Sequence, residues 1–92
     1  MEPKYISYDT AFAKRFEKYK NRLTDAEKDK LRLKLSIFKE NIFDSRLKTH
    51  KLKGNLNNYY SFSVSYSHRI VFKVLEDGGV YFMEIGSHDI CY

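Results

Sequence analysis

The sequence has a single cysteine, no tryptophan and no long apolar run. Cys91 alone cannot form an internal disulfide, and with only three scattered histidines we predict no metal site and no other cofactor. No stretch approaches the roughly 18 apolar residues of a membrane span, and no apolar segment near the start resembles a signal peptide. The sequence therefore predicts a cytoplasmic protein that does not contact a membrane.

Length and composition favour one small globular unit with an anionic partner. We predict a single domain at 1–92, because a chain of 92 residues buries only about 60–65% of its unfolded surface. No repeat, linker or low-complexity segment divides it. Hydrophobic residues make up 42% and include 8 Tyr and 7 Phe, which is enough for a packed core. The net charge of +5 favours nucleic acid as the first partner to consider.

Hydrophobic spacing predicts a helical hairpin after a short strand at 4–8. Asp9 or Thr10 can cap the first helix, and Thr24 with Glu27 three residues later forms the pattern of a capping box before the second. Apolar residues recur on one face of each helix. They are Phe12, Phe16, Tyr19 and Leu23 in the first helix and Leu31, Leu35, Phe38 and Ile42 in the second.

A three-stranded meander is predicted beyond a loop at 44–58. Tyr60, Phe62, Val64 and Tyr66 alternate with serines, as in a strand with one buried face. A turn at Ser67 and His68, a strand at 69–75, a hairpin turn at 77–79 and a strand at 80–85 follow. The fold class is α+β in the order β-α-α-β-β-β, with the N-terminal helical hairpin packed on a small, mainly antiparallel sheet that includes the first strand.

Charge is concentrated between Asp44 and Glu76, where there is no acidic residue. The basic residues and histidines of this stretch are Arg46, Lys48, His50, Lys51, Lys53, His68, Arg69 and Lys73. Such a one-signed stretch has little internal neutralisation and predicts a positive surface for a polyanion. A solvated loop beside a strand edge protected by lysine is an equally weighted alternative.

Metal-free RNA cleavage needs a general base for the ribose 2′-hydroxyl, a general acid for the leaving oxygen and cations for the phosphate. His50 and His88 are candidates for the acid and base, because imidazole titrates near neutral pH. Lys51, Lys53 and Arg69 can supply positive charge. Each residue also has a simpler interpretation: surface histidines, a turn at Lys53, an Arg69 bonded to Glu84 or Asp89, and a frayed end at Tyr92.

An ordered set of short motifs carries a family resemblance. The motifs are His50-Lys51-Leu52-Lys53-Gly54, Tyr59-Tyr60, Arg69-Ile70-Val71-Phe72 and the ending Ile85-Gly86-Ser87-His88-Asp89-Ile90-Cys91-Tyr92. In identity, order and interval they resemble the RelE/ParE toxin superfamily of type II toxin–antitoxin systems, and most of all its YafQ-like branch of messenger-RNA endonucleases. The resemblance covers residues 46–92 well and the N-terminal half only as a helical hairpin of the right size.

The resemblance implies a RelE-like microbial RNase fold and a role for each matched residue. His50 and His88 match the acid–base pair, Lys53 and Arg69 match positions that bind the phosphate, and Tyr92 matches a terminal aromatic that positions the substrate. We add Lys51, Lys48, Arg46, His68 and Lys73 as substrate-binding residues by charge. The implied activity is metal-independent cleavage of messenger RNA in the ribosomal A site, and the implied partners are a cognate antitoxin, the ribosome and messenger RNA.

Two departures from the YafQ-like pattern keep other functions open. Ser63 stands where relatives have a strand histidine, and Ser67 and His68 stand where they have Asp and Trp. The alternatives are a non-enzymatic, gyrase-directed toxin of the ParE type, an inactive antitoxin-binding homologue, and a generic RNA-binding module without a partner system. The paired histidines argue against the ParE type.

Overall fold

The computed structural model describes residues 1–54 and 58–87. Two helices accompany a five-stranded sheet of order β1-β5-β4-β3-β2, in which β1 is parallel to β5 and the other pairs are antiparallel. The elements are β1 (Ile6–Tyr8), α1 (Thr10–Lys20), α2 (Asp25–Glu40), a 3-10 turn (Ser45–Leu47), β2 (His50–Lys51), β3 (Tyr59–Ser63), β4 (His68–Val74) and β5 (Val80–Ser87). The predicted α+β class and the inclusion of the first strand are confirmed.

Both helices begin where their capping residues predict. The Asp9 carboxylate accepts a hydrogen bond from the Phe12 amide at 2.8 Å and satisfies an N–H that has no partner within the helix. Thr24 Oγ1 accepts from the Glu27 amide at 3.2 Å, and Glu27 Oε1 accepts from the Thr24 amide at 2.9 Å. The predicted capping box is therefore present.

The core lies between the helical hairpin and one face of the sheet. Phe38 of α2 is fully buried, and its ring centroid lies 4.4 Å from Phe62, 5.0 Å from Phe72 and 5.4 Å from Phe82. Phe12 of α1 adds a contact to Phe82 at 5.6 Å. Three neighbouring strands are thereby joined through aromatic contacts to one helix residue. Within the described ranges, neither helix is long and apolar enough to cross a bilayer.

The loop predicted at 44–58 was wrong in part, because it contains the 3-10 turn and β2. His50 pairs with Ser61 and Lys51 with Tyr60, so β2 forms an edge of the sheet. A two-residue polar strand has no alternating pattern and exists only through its pairing with β3. His50 is therefore held on a strand and not in a loop.

The strand that the alternating pattern predicted through Tyr66 was also too long. β3 ends at Ser63, and the amides of Val64 and Ser65 both donate to the His68 carbonyl, at 3.1 and 3.3 Å. Val64 is buried, but Tyr66 is 100% exposed. His68, predicted in the turn, is the first residue of β4.

Directly paired residues of an antiparallel sheet share a face, and side chains alternate along each strand. His50 pairs with Ser61, and Ser63 pairs with Arg69. These four residues therefore lie on the face turned away from Phe62 and the helices, which we call the outer face. Two predicted catalytic residues, His50 and Arg69, therefore share one face of the sheet.

Candidate active site

One backbone carbonyl joins the two central candidates. Lys48 ends the 3-10 turn in the left-handed conformation, with φ 51° and ψ 40°. Its carbonyl oxygen lies 3.3 Å from His50 Nδ1 and accepts from Arg69 Nη1 at 3.5 Å. One histidine of the predicted acid–base pair and the predicted phosphate ligand, which are distant in sequence, are thus brought together at the rim of the sheet.

The same carbonyl determines which ring nitrogen of neutral His50 carries the proton. A carbonyl oxygen only accepts, so Nδ1 is the protonated nitrogen and donates to Lys48. The other nitrogen, Nε2, lies 3.4 Å from Ser61 Oγ, and the Ser61 side chain is fully buried. In the neutral ring the Ser61 hydroxyl donates to Nε2, so the lone pair of that nitrogen is directed at Ser61.

Arg69 is a buried cation with incomplete hydrogen bonding. The residue is 7% exposed, and its Nε has no hydrogen-bond partner among the described residues. Glu84, one of the acids that the sequence offered as a partner, instead pairs through Oε1 with Arg15 Nε at 2.9 Å. A buried charged donor without an acceptor is energetically costly, which makes Arg69 a candidate anion-binding group.

Lys73 shares the outer face with Arg69, whereas two other predicted residues do not. Lys73 lies four residues along β4 from Arg69, with its Nζ 5.5 Å from the centroid of the Tyr59 ring. Lys51 lies on the helix side, because it pairs with Tyr60. His68 also faces the helices, where its ring lies 4.6 Å from Tyr19. Neither Lys51 nor His68 is brought together with His50.

Arg46 and Lys53 occupy different surroundings from the central cluster. Arg46 forms two hydrogen bonds of 3.0 Å, from Nε and Nη2 to the Asp44 carboxylate, and these lower the pKa of Asp44 to about 2. Asp44 lies just outside the acid-free stretch, so the expected lack of local neutralisation was wrong at Arg46. Lys53 is exposed at a bend before Gly54, which has a φ of 86°. His88, Asp89 and Tyr92 lie outside the described residues.

Sequence reasoning missed two groups of this site, the Ser61 hydroxyl and the Lys48 carbonyl. Ser61 was assigned only to the polar side of an alternating strand. Recognition of β2 would have placed Ser61 opposite His50 and made it a candidate. The role of the Lys48 carbonyl depends on a left-handed backbone conformation at a residue that is not glycine, for which the sequence carries no signal.

The fold matches a group of small bacterial toxins. The E. coli DinJ–YafQ toxin–antitoxin complex contains a chain with TM-score 0.72 and 21% identity, covering 100% of this chain and 99% of that one. A YoeB dimer from Staphylococcus aureus matches with TM-score 0.69 and 22% identity, covering 91% and 95%. The YoeB/ParE toxin from Agrobacterium tumefaciens matches with TM-score 0.69 and 21% identity, covering 96% and 99%.

These matches define a two-helix, mixed-sheet fold shared by toxins of toxin–antitoxin pairs. It is the fold of the RelE/YafQ-like toxin superfamily, and the resemblance inferred from residues 46–92 is confirmed at the level of fold. Neither a family model nor a curated protein sequence matches the chain.

Proposed function

We propose that this protein is the toxin of a type II toxin–antitoxin pair and a metal-independent endoribonuclease that cuts messenger RNA in the ribosomal A site. The observation that carries the proposal is the convergence of His50 and Arg69 on the Lys48 carbonyl, at 3.3 and 3.5 Å. A proton acceptor and a buried cation with an unused N–H are the groups that phosphodiester cleavage requires side by side.

Arg69 supplies the phosphate site in this proposal. Among the described residues no carboxylate lies within ion-pair distance of it, and Nε is free to donate. A phosphate oxygen would accept that hydrogen bond and balance the buried charge. Because the guanidinium is already desolvated and oriented, its attraction for charge developing on phosphorus is strengthened. Lys53 adds a cation by the family resemblance.

His50 is the general base in this scheme: Nε2 carries the lone pair when Nδ1 donates to Lys48, and the substrate 2′-hydroxyl replaces the Ser61 hydroxyl as the donor to Nε2. Nε2 removes the proton of the 2′-hydroxyl, O2′ attacks phosphorus, and the bond from phosphorus to O5′ breaks. His88, the general acid by resemblance, gives its proton to O5′. The products are a 2′,3′-cyclic phosphate, which water can open to a 3′-phosphate, and a 5′-hydroxyl. Tyr92 positions the substrate by the same resemblance.

A cognate antitoxin is the proposed protein partner. The YafQ chain that shares this fold was solved in a toxin–antitoxin complex. The net charge of +5 attracts both an acidic antitoxin segment and ribosome-bound RNA. One basic surface can therefore serve the inhibitor and the target in turn.

Induced expression without an antitoxin tests the proposal. The parent should arrest growth, and primer extension on cellular messages should reveal discrete cuts within reading frames. The double variant His50→Ala with His88→Ala should remove both effects. Arg69→Met should abolish cleavage too, whereas Arg15→Met, which alters an exposed arginine paired with Glu84, should leave it unchanged.

Two outcomes would contradict the mechanism. Unchanged cleavage by the double histidine variant would show that neither imidazole moves the proton. Growth arrest with intact messages and damaged DNA would instead identify a gyrase-directed toxin of the ParE type.

A further inference from the structure

The turn between β3 and β4 holds an aromatic side chain entirely in solvent. Tyr66 is 100% exposed, so it contributes nothing to the core. The turn around it is nevertheless well tied: Ser63 Oγ donates to the Ser65 carbonyl at 2.7 Å, and the His68 amide donates to Ser65 Oγ at 3.1 Å. Buried Val64 anchors the near end of the turn. The turn thus presents the Tyr66 ring from a fixed base.

Tyr66 stands at the rim of a groove of about 430 Å³ between this turn and the helical hairpin. Three lysines line the groove: Lys30 and Lys34, four residues apart on α2, and Lys48 after the 3-10 turn. Like charges four apart on a helix disfavour the helix slightly, and each lysine also attracts a carboxylate, Lys30 that of Glu27 and Lys34 that of Asp44. Among the described residues none of these lysines forms an ion pair.

The groove carries one acid, and its carboxylate is already engaged. Glu27 Oε1 accepts from the Thr24 amide in the capping box, and the Thr24 backbone and side-chain hydrogen bonds lower the Glu27 pKa. Lys34 Nζ is held at the wall by donating to the Arg46 carbonyl at 2.6 Å. The charged part of the lining is therefore mainly cationic, beside the apolar Leu23, Leu33 and Val64, with an exposed aromatic at the rim.

The groove also borders the candidate active site. Ser63 lines it, and Ser63 is the cross-strand partner of Arg69. Lys48 lines it too, and the Lys48 carbonyl is the one that contacts His50 and Arg69. The groove itself lies on the helix side of the sheet, so a nucleic-acid strand whose phosphate lies at Arg69 on the outer face reaches it by passing over the end of the sheet near Lys48.

We infer that this groove is a subsite for the single-stranded RNA that flanks the cut, with Tyr66 stacking on one base and Lys30, Lys34 and Lys48 contacting the backbone. The inference rests on the proposed function, and it adds the path that the flanking RNA strand takes across the protein. Aromatic stacking beside a cationic track is the general chemistry of single-strand binding, and it needs no particular base sequence. An acidic peptide could also bind the lysines, but it would not account for the Tyr66 ring, which lies in solvent outside the apolar part of the groove.

Binding of a 2′-O-methyl RNA 12-mer to the whole chain tests the subsite separately from catalysis, because this probe lacks the attacking hydroxyl. Fluorescence anisotropy over a salt series gives the affinity, and NMR amide shifts report weak binding. Tyr66→Ala should weaken binding about 5- to 150-fold, the range expected for one stacked base. Tyr66→Phe keeps the ring and should bind within about twofold of the parent.

The lysines have a matched control within the chain. The test pair is Lys30→Ala with Lys34→Ala on α2, and the control pair is Lys14→Ala with Lys18→Ala on α1. Each pair removes two exposed or half-exposed charges that are four residues apart on a helix. The first pair should reduce the slope of log affinity against log salt by about 1.4, at about 0.7 per phosphate contact in a single strand. The second pair should leave the slope unchanged.

Equal effects of the two lysine pairs, or unchanged RNA binding by Tyr66→Ala, would overturn the subsite. So would a parent that gives no salt-sensitive amide shifts with the RNA. A different result would assign the groove to an acidic protein partner. In that case polyglutamate binds the parent but not Tyr66→Ala, and RNA binds both proteins equally well. None of these results bears on cleavage at His50 and Arg69, which fails or succeeds by primer extension alone.

Discussion

Replacing Arg69 with methionine should leave the protein as stable as the parent, or more stable by up to about 2 kcal/mol. The buried Nε–H has no acceptor among the described residues, and an unsatisfied buried donor costs about 1–3 kcal/mol. The hydrogen bond from Nη1 to Lys48 is long, at 3.5 Å, so its loss costs at most about 0.5–1.5 kcal/mol. Methionine fills similar space without a charge.

Urea denaturation followed by circular dichroism measures this difference. Arg15→Met is the control, because Arg15 is 44% exposed and paired with Glu84, and such pairs contribute at most about 1 kcal/mol. Inorganic phosphate at ten times its dissociation constant should stabilise the parent by about 1.4 kcal/mol and leave Arg69→Met unaffected. If Arg69→Met loses more than about 2 kcal/mol of stability, Arg69 is a structural anchor and not an anion-binding group.

Three further substitutions probe the site and the core. Ser61→Ala removes the hydroxyl at His50 Nε2. It should lower kcat for the proposed RNA cleavage about 10- to 100-fold with little change in KM, as for other residues that orient a functional side chain. The ring ¹⁵N shifts of His50 should change as well, and an unchanged kcat would show that Ser61 is not part of the site. The pKa of Asp44 is lowered to about 2 by hydrogen bonds from Arg46, so its contribution to stability is present above its unfolded pKa and is lost as pH falls through about 2. In urea titrations Asp44→Asn should be less stable than the parent at neutral pH, and this difference should shrink as the pH is lowered and disappear below pH 2. Phe38→Ala should cost about 3–5 kcal/mol in urea denaturation, since its ring touches three strands, and a loss below about 1 kcal/mol would contradict the packing described.

Features set by neighbouring residues were predictable from the sequence. The caps at Asp9 and Thr24 and the apolar stripe that carries Phe38 depend on residues within one or two helical turns. The hairpin turn at 77–79 likewise depends on local backbone preferences, with Gly78 at a φ of 94°. Local chemistry therefore gives the order of the elements before any long-range contact is known.

Features set by distant pairing were not predictable in the same way. β2 has two residues and becomes a strand only beside β3, so the place of His50 in the sheet and its contact with Ser61 were missed. Tyr66 continues an alternating pattern, but the backbone turns two residues earlier because the His68 carbonyl accepts two amides. His50 and Arg69 both contact the main-chain oxygen of Lys48, and the identity of the Lys48 side chain does not predict that contact.

The parallel pairing of β1 with β5 has a consequence for how the chain folds during synthesis. Ile6 pairs with Val80 and Tyr8 with Phe82, so β1 must wait for β5, which is synthesised more than 70 residues later. Contacts of such large sequence separation form late and slow folding, because the intervening chain loses entropy before the pairing forms. While β5 is still inside the ribosome, β1 has no partner strand and Phe12 lacks its Phe82 contact. A nascent chain therefore cannot complete the sheet, or the contact between Phe12 and Phe82, until β5 has emerged.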